Sequence, residues 1–249
     1  MALPIILGAA AAVAGLKTCG IRGFNLTMPN KNKIVELLDE LSPEAQLIGA
    51  VNTVLNDNGK LIGYNTDGYG FMQSVRDAGH DITGKNITVM GVGGASMAIC
   101  AQSALDGAAS VHIFARRTSR YWNRTQKFAE NLSAKTGCQV CLFDNDDHTA
   151  LRDSIAQSYL LINATSVGMV PDIDDTIIKD TSLFHPELVV ADVVYEPQET
   201  RLLREAKAAG CQTFNGMYML LHQGAKAFQI WTGQEMPVSV IKEKYFSVK

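Results

Sequence analysis

The chain has no surplus of basic charge. Its 22 Lys and Arg face 25 Asp and Glu, a formal net charge of −3. It therefore carries no electrostatic footprint for a nucleic-acid backbone, and an acidic small molecule would have to be met by local cations and amides. Long apolar runs are also lacking. The uncharged stretch from Met1 to Leu16 is too short to span a bilayer and has no basic start of the kind a secretory leader carries. The expectation is a soluble protein with no membrane partner. Cysteine is sparse, five residues without metal-ligand spacing, which fits reduced thiols in a cytoplasm and no metal centre. Cys138 and Cys141 have redox-motif spacing but sit in an alternating, strand-like stretch, not at a helix N-terminus that would stabilise a thiolate. They are expected to be strand cysteines.

What is present is an ordinary core composition. Hydrophobic residues make up 47% and charged residues 19% of 249 residues, enough for one large or two small domains. Helical spacing covers Ala9 to Thr18 and, through Ile34, Val35, Leu37, Leu38 and Leu41, the stretch Lys33 to Leu41. Strands are predicted at Ile21–Leu26, Ala50–Leu55 and Lys60–Tyr64, the last two joined by Asn58-Gly59, a hairpin signal. A helix follows from Gly68 to Ala78. From Lys85 the rhythm becomes regular. Apolar strands at Ile87–Met90, Val111–Ala115, Gln139–Phe143, Leu160–Asn163 and Leu188–Val193 alternate with helices at Ala95–Leu105 and Tyr121–Thr136. Such alternation predicts a parallel sheet covered on both faces, a Rossmann-like α/β domain. A long helix, Tyr218–Thr232, and a short one after Pro237 close the chain.

Three polar motifs precede that domain: Asn25-Leu26-Thr27-Met28-Pro29-Asn30-Lys31, Gly49-Ala50-Val51-Asn52-Thr53 and Gly63-Tyr64-Asn65-Thr66-Asp67. Buried amides, hydroxyls and charges need partners, so their clustering at the ends of short strands points to a site for a polar small molecule. Asp67 could equally cap the helix that follows it, and Asn52 and Thr27 could satisfy turn backbone. Gly91-Val92-Gly93-Gly94-Ala95 then joins a predicted strand to a helix, with Ser96 where a dinucleotide fingerprint has its last glycine. Gly91, Gly93, Gly94 and Ala95 are expected to let a pyrophosphate approach the helix N-terminus. At the end of the next strand stand Arg116, Arg117 and Thr118 where an NAD site usually has a carboxylate. Guanidiniums and a hydroxyl suit a 2′-phosphate, so NADP is the expected cofactor and NAD the alternative.

These motifs, with Asn163-Ala164-Thr165-Ser166-Val167-Gly168-Met169, Ala191-Asp192-Val193-Val194-Tyr195 and Gly216-Met217-Tyr218-Met219-Leu220-Leu221-His222-Gln223, resemble the shikimate dehydrogenase family and within it the quinate/shikimate branch, from about Val13 to the C-terminus. The resemblance implies NAD(P)-linked interconversion of 3-dehydroshikimate and shikimate, and of quinate and 3-dehydroquinate. It also implies a Rossmann-like domain, 85–217, and a smaller, discontinuous α/β substrate domain, 1–84 completed by 218–249. It makes Lys31 the proton donor and acceptor, paired with Asp67. Thr27, Asn52, Asp67 and Gln223 become substrate ligands, and Ser166, Tyr195 and Gly216 join the cofactor residues. A homodimer is the expected assembly. Two departures stand out. Thr118 replaces an Asp common in the quinate/shikimate branch. The family's Ser-x-Ser-Pro motif, which holds the substrate carboxylate on the first strand-helix unit, has no counterpart, and Met1 to Ala12 falls outside the pattern. The expectation is therefore a chain that binds NADP(H) but reduces 3-dehydroshikimate poorly, with a nucleotide-binding relic as the alternative to an enzyme.

Overall fold

The computed structural model describes residues 5–246, with side chains from residue 10 onward. Two sheets organise it. The first part of the chain runs α1 (Ile5–Thr18), β1 (Gly23–Asn25), a 3-10 turn at Lys33–Leu37, β2 (Glu40–Leu41), α2 (Pro43–Ile48), β3 (Thr53–Asp57), β4 (Lys60–Tyr64) and α3 (Asp67–Asp77). Its four strands lie in the order β1-β3-β4-β2, antiparallel except for β2 beside β4. The hairpin forms as the sequence predicts. Asp57 pairs with Lys60, and Asn58 and Gly59 take φ of 52° and 94°, the left-handed pair a tight two-residue turn requires. Met1 to Pro4, part of the stretch outside the family pattern, lie outside the described residues.

The stretch Lys33–Leu41 departs from its helical expectation. Winding stops at Leu38, whose backbone is extended, and Leu41 joins a strand paired with Gly63. Asp39 explains the switch. Its N–H donates to Leu61 O at 2.9 Å and its carboxylate accepts from Leu61 N at 2.7 Å, so pairing with β4 outcompetes another turn of helix. Helix α2, which periodicity does not reveal, is built by punctuation. Ser42 Oγ accepts from Ala45 N, Pro43 opens the first turn, and Gly49 closes it at φ 65°.

The second part runs β5 (Asn86–Met90), α4 (Gly94–Leu105), β6 (Ser110–Ala115), α5 (Trp122–Thr136), β7 (Gln139–Asp144), α6 (His148–Gln157), β8 (Leu160–Asn163), β9 (Val189–Asp192), α7 (Arg201–Ala208) and β10 (Gln212–Phe214). The six strands are parallel in the order β7-β6-β5-β8-β9-β10. Strand order reverses between β5 and β8, which opens a crevice at their carboxyl ends. Ile87, Val89, Ile113, Leu160 and Ile162 are buried with α4, while Phe114, Leu161 and Val190 face a second core under α6 and α7. Helix α6 has only Ser154 and Ile155 buried, too few for an apolar rhythm to mark it, whereas α7 buries Leu202, Leu203 and Ala206 on one face. Cys138 precedes β7, buried and with its thiol pushed up to about 11 by desolvation. Cys141 lies within β7 as the sequence predicts, whereas Cys138 stands one residue before the strand.

Helix α8 (Met217–Thr232) leaves β10 and returns to pack along α3, while α9 (Val238–Ile241) and a π-helical turn at Lys242–Phe246 finish the described chain. The α3–α8 seam depends on Gly70. A Cβ there would stand 2.7 Å from Gln223 N and Met219 O, so only a residue without a side chain lets the helices approach this closely. We predict that Gly70→Ala costs about 1–3 kcal/mol by overpacking. Thermal unfolding checks this, and ligand affinity should weaken with it, because the displaced turn of α8 carries Gln223.

Candidate active site

The first two polar motifs and the start of α3 converge on one ion pair. Lys31 Nζ lies 2.7 Å from Asp67 Oδ2, and the side chains keep only 16% and 9% exposure, so most of their hydration is gone. Asn52 supplies the missing contacts. Its Nδ2 donates to Asp67 Oδ1 at 2.8 Å and approaches Gln223 Oε1 at 3.2 Å, while its Oδ1 accepts from Thr66 N at 2.9 Å. Asp67 does not cap the helix, which corrects one of the two readings open in the sequence. Thr66 holds the cap position and Asp67 is already in the first turn, its N–H donating to Asn65 Oδ1 at 3.2 Å. The carboxylate is thereby left for Lys31 and Asn52. Asn25 and Asn65 take part without having been singled out. Asn25 Nδ2 donates to Thr53 Oγ1 at 2.9 Å and Asn65 Nδ2 to Ala50 O at 3.0 Å, tying the motif backbones together.

Thr27, Lys31, Asn52, Asp67 and Gln223 line one cleft of about 490 Å³, which Tyr195 and Gly216 also border. Ala95, at the start of α4, also borders it. The residues expected to hold a polar small molecule and several of those expected to hold a nucleotide thus border the same space. A neighbouring cavity holds Gly93, Gly94, Ala95, Ser166 and Tyr195 together. Gly91 has φ 111°, and a Cβ on it would stand 2.8 Å from Thr165 Cγ2, so the loop turns as tightly as the motif implies. Ser96, in the fingerprint's last position, is buried and donates from Oγ to Gly91 O at 2.6 Å, closing the loop on itself. Gly216 opens α8 beside β9, where a Cβ would be 2.1 Å from Val193 O.

Arg116, Arg117 and Thr118 are exposed at the carboxyl end of β6. The Arg117 guanidinium stacks over Trp122 with 4.7 Å to the ring centre, and the Arg117 backbone N–H donates to Asp144 Oδ1 at 3.3 Å. That face remains open to a phosphate. The residues present therefore fit a dinucleotide: a glycine turn, a helix N-terminus and guanidiniums at the second strand.

Comparison with known proteins settles the lineage. Residues 7–54 match the model of the shikimate dehydrogenase substrate binding domain, and residues 216–244 that of the shikimate 5′-dehydrogenase C-terminal domain. The shikimate dehydrogenase (NADP(+)) of Listeria innocua is 51% identical over 234 residues, covering 94% of this chain and 80% of that one. The quinate/shikimate dehydrogenase of Escherichia coli is 42% identical over 233 residues, 94% and 81% of the two chains. The crystal structure of shikimate 5-dehydrogenase from Listeria monocytogenes, in complex with shikimate and NAD, superposes with a TM-score of 0.91 at 50% identity, covering 94% of this chain and 81% of that one. The chain belongs to the shikimate dehydrogenase family. Family likeness begins at residue 7, earlier than the Val13 the motifs suggest. The fold also serves other ketone reductases. The ligand-free 5-ketofructose reductase of a Gluconobacter strain is 35% identical with a TM-score of 0.83, covering 95% of this chain and 82% of that one.

Two further residues of the family motifs matter structurally. Asp192 is fully buried at the end of β9. Its Oδ1 accepts from Asn163 Nδ2 at 3.0 Å and Val194 N at 2.9 Å, and its Oδ2 accepts from Thr200 Oγ1 at 2.8 Å. Asn163 in turn accepts from Thr165 N and Oγ1. Burial pushes the Asp192 carboxyl above the usual range, against the pull of those hydrogen bonds. This pair pins the two loops that carry Ser166 and Tyr195. Asp192→Asn places an amide among donors and leaves at least one of them unpaired, at about 1–3 kcal/mol. The expected outcome is a lower melting temperature and a raised KM for dinucleotide, while KM for the second substrate changes little.

Proposed function

We propose that the chain is an NADP-dependent shikimate dehydrogenase that reversibly reduces the ketone of 3-dehydroshikimate to the hydroxyl of shikimate. The observation that carries this reading is the Lys31–Asp67 pair at 2.7 Å, in a cleft shared with the start of α4. Gly91, Gly93, Gly94, Ala95, Ser166, Tyr195 and Gly216 would hold the dinucleotide, which when bound supplies or accepts the hydride. The remaining chemistry is the protein's own. Charge that develops on the substrate oxygen is met by the Lys31 ammonium, and the proton passes from Nζ to that oxygen. Asp67 holds the ammonium in place, and in the reverse direction Lys31 takes the proton back. Thr27, Asn52 and Gln223 are placed to hold the substrate hydroxyls.

The division of labour follows the two sheets, with 85–217 as the nucleotide domain and 1–84 with 218–249 as the substrate domain. NADP is favoured by Arg116, Arg117 and Thr118 and by the Listeria relative's name. Oxidation of quinate to 3-dehydroquinate is a second activity, supported by the E. coli relative. We infer a cytoplasmic enzyme, in keeping with five free thiols. We also infer a homodimer, in keeping with the outer edge of β1, which has no strand beside it among the described residues. Sedimentation in solution would test that assembly.

Consumption of NADPH in the presence of 3-dehydroshikimate, followed by absorbance, tests the main reading. Binding of NADPH without turnover would favour the nucleotide-binding relic instead. Lys31→Ala should lower kcat by roughly 10²–10⁴-fold and leave NADPH affinity intact. Asp67→Asn should follow it in direction, without loss of fold. Arg117→Asp should shift the ratio of kcat/KM for NADP over NAD toward NAD, by removing a phosphate partner and offering a ribose acceptor. An unchanged ratio would place the selectivity elsewhere.

A further inference from the structure

Lys31 lines not only the substrate cleft but also a second, more enclosed cavity of about 270 Å³. One wall comes from the substrate-side motifs, with Lys31, Asn32 and Asn65. The other comes from Gly93 and Gly94 of the phosphate loop and Tyr121 and Arg124 at the start of α5. No carboxylate lines it. The Lys31 charge is matched by Asp67, whereas the Arg124 guanidinium has no hydrogen-bond or ion-pair partner among the described residues. Of the other arginines of this segment, Arg116 is exposed, likewise without a side-chain partner among the described residues, and does not line the cavity, while two are engaged. Arg117 stacks on Trp122, and Arg120 donates from Nη2 to Tyr121 Oη at 2.7 Å. Arg124 instead reaches across the cleft, with Nη2 3.8 Å from the place a Cβ on Gly49 would occupy. Helices α4 and α5, of 12 and 15 residues, both begin at this cavity and add the positive ends of their dipoles.

We propose that Arg124 binds a phosphate of the dinucleotide, from the Lys31 side of the glycine loop. The inference rests on the nucleotide-binding reading above and adds to it a residue outside the glycine motif and outside the Arg116-Arg117-Thr118 run. An unneutralised, exposed guanidinium that borders a cavity free of carboxylates selects an anion. The adjoining loop amides at the start of α4 make that anion a phosphate. The same chemistry serves the pyrophosphate, common to NAD(H) and NADP(H), and the 2′-phosphate of NADP(H) alone.

Calorimetric titration of NADPH and NADH into the full chain and its Arg124→Ala, Arg124→Lys and Lys127→Ala variants tests the proposal. Lys127 is exposed on the same helix, does not line the cavity, and serves as the control. Loss of one charge-assisted contact should weaken binding about tenfold in Arg124→Ala. Arg124→Lys should recover part of the affinity, Lys127→Ala should bind as the unaltered chain does, and all melting temperatures should coincide because both positions are exposed. Equal weakening for NADPH and NADH assigns the pyrophosphate, and weakening for NADPH alone assigns the 2′-phosphate. Unchanged affinity for both in Arg124→Ala, with tight binding by the unaltered chain, overturns the role of Arg124 and leaves the nucleotide reading standing. Absence of binding by the unaltered chain overturns both.

Discussion

A largely dehydrated ammonium–carboxylate pair is the constraint around which this fold is arranged. Withdrawing Lys31 and Asp67 from water is unfavourable unless direct contact and additional hydrogen bonds replace hydration. Both are present, at 2.7 Å between the charges and 2.8 Å from Asn52 to the second carboxylate oxygen. Each partner comes from a different element: Lys31 from the loop after β1, Asn52 from the approach to β3, and Asp67 from the first turn of α3. The hairpin β3–β4 must therefore be in register, because a shift of one residue would turn Asn52 away from Asp67. The tight Asn58-Gly59 turn fixes that register.

The same pair explains why a helix late in the chain returns to its first part. Gln223 approaches Asn52 from α8, and α8 can reach it because Gly70 and Gly216 remove side chains from two crossings, one with α3 and one with the loop after β9. Gly216 sits against Val193 O, so the helix that contributes to the small-molecule cluster starts within contact of the nucleotide-side loops. One rigid element thereby touches both halves of the site, and the cleft is assembled at the seam between the two sheets.

Much of this was legible in the amino-acid sequence. The parallel sheet follows from unbroken apolar strands, and the hairpin from one dipeptide. The polar motifs at strand ends marked a site because such groups have no place in a core, while the roles of Lys31, Asn52 and Asp67 came from the family resemblance. What was hidden depended on contacts distant in sequence. Nothing near Leu41 announces its pairing with Gly63, and Lys33–Leu41 accordingly resembled a continuous helix. Helix α2 has only Ala45 and Ile48 fully buried, too few for a periodic signal. Asp67 carried two compatible local readings, and only the position of Thr66 distinguishes them. Asp192 and Asn163 lay in recognised motifs, but their role comes from being neighbours across β8 and β9, a pairing no single segment encodes.

Charge placement completes the logic. The chain is net acidic, and its cleft cations do not act alike. Lys31 is held by a carboxylate and is poorly placed to anchor an anion permanently, since an anion bound to it would compete with Asp67. In the proposed reaction this leaves the ammonium for proton movement and assigns the binding of phosphate to loop amides, helix termini and guanidiniums. Guanidiniums suit that duty because they stay charged under all physiological conditions and cannot intrude as proton donors of comparable acidity. In the proposed reaction the two demands of a dehydrogenase, holding anions and moving a proton, fall to different residue types around the same loop.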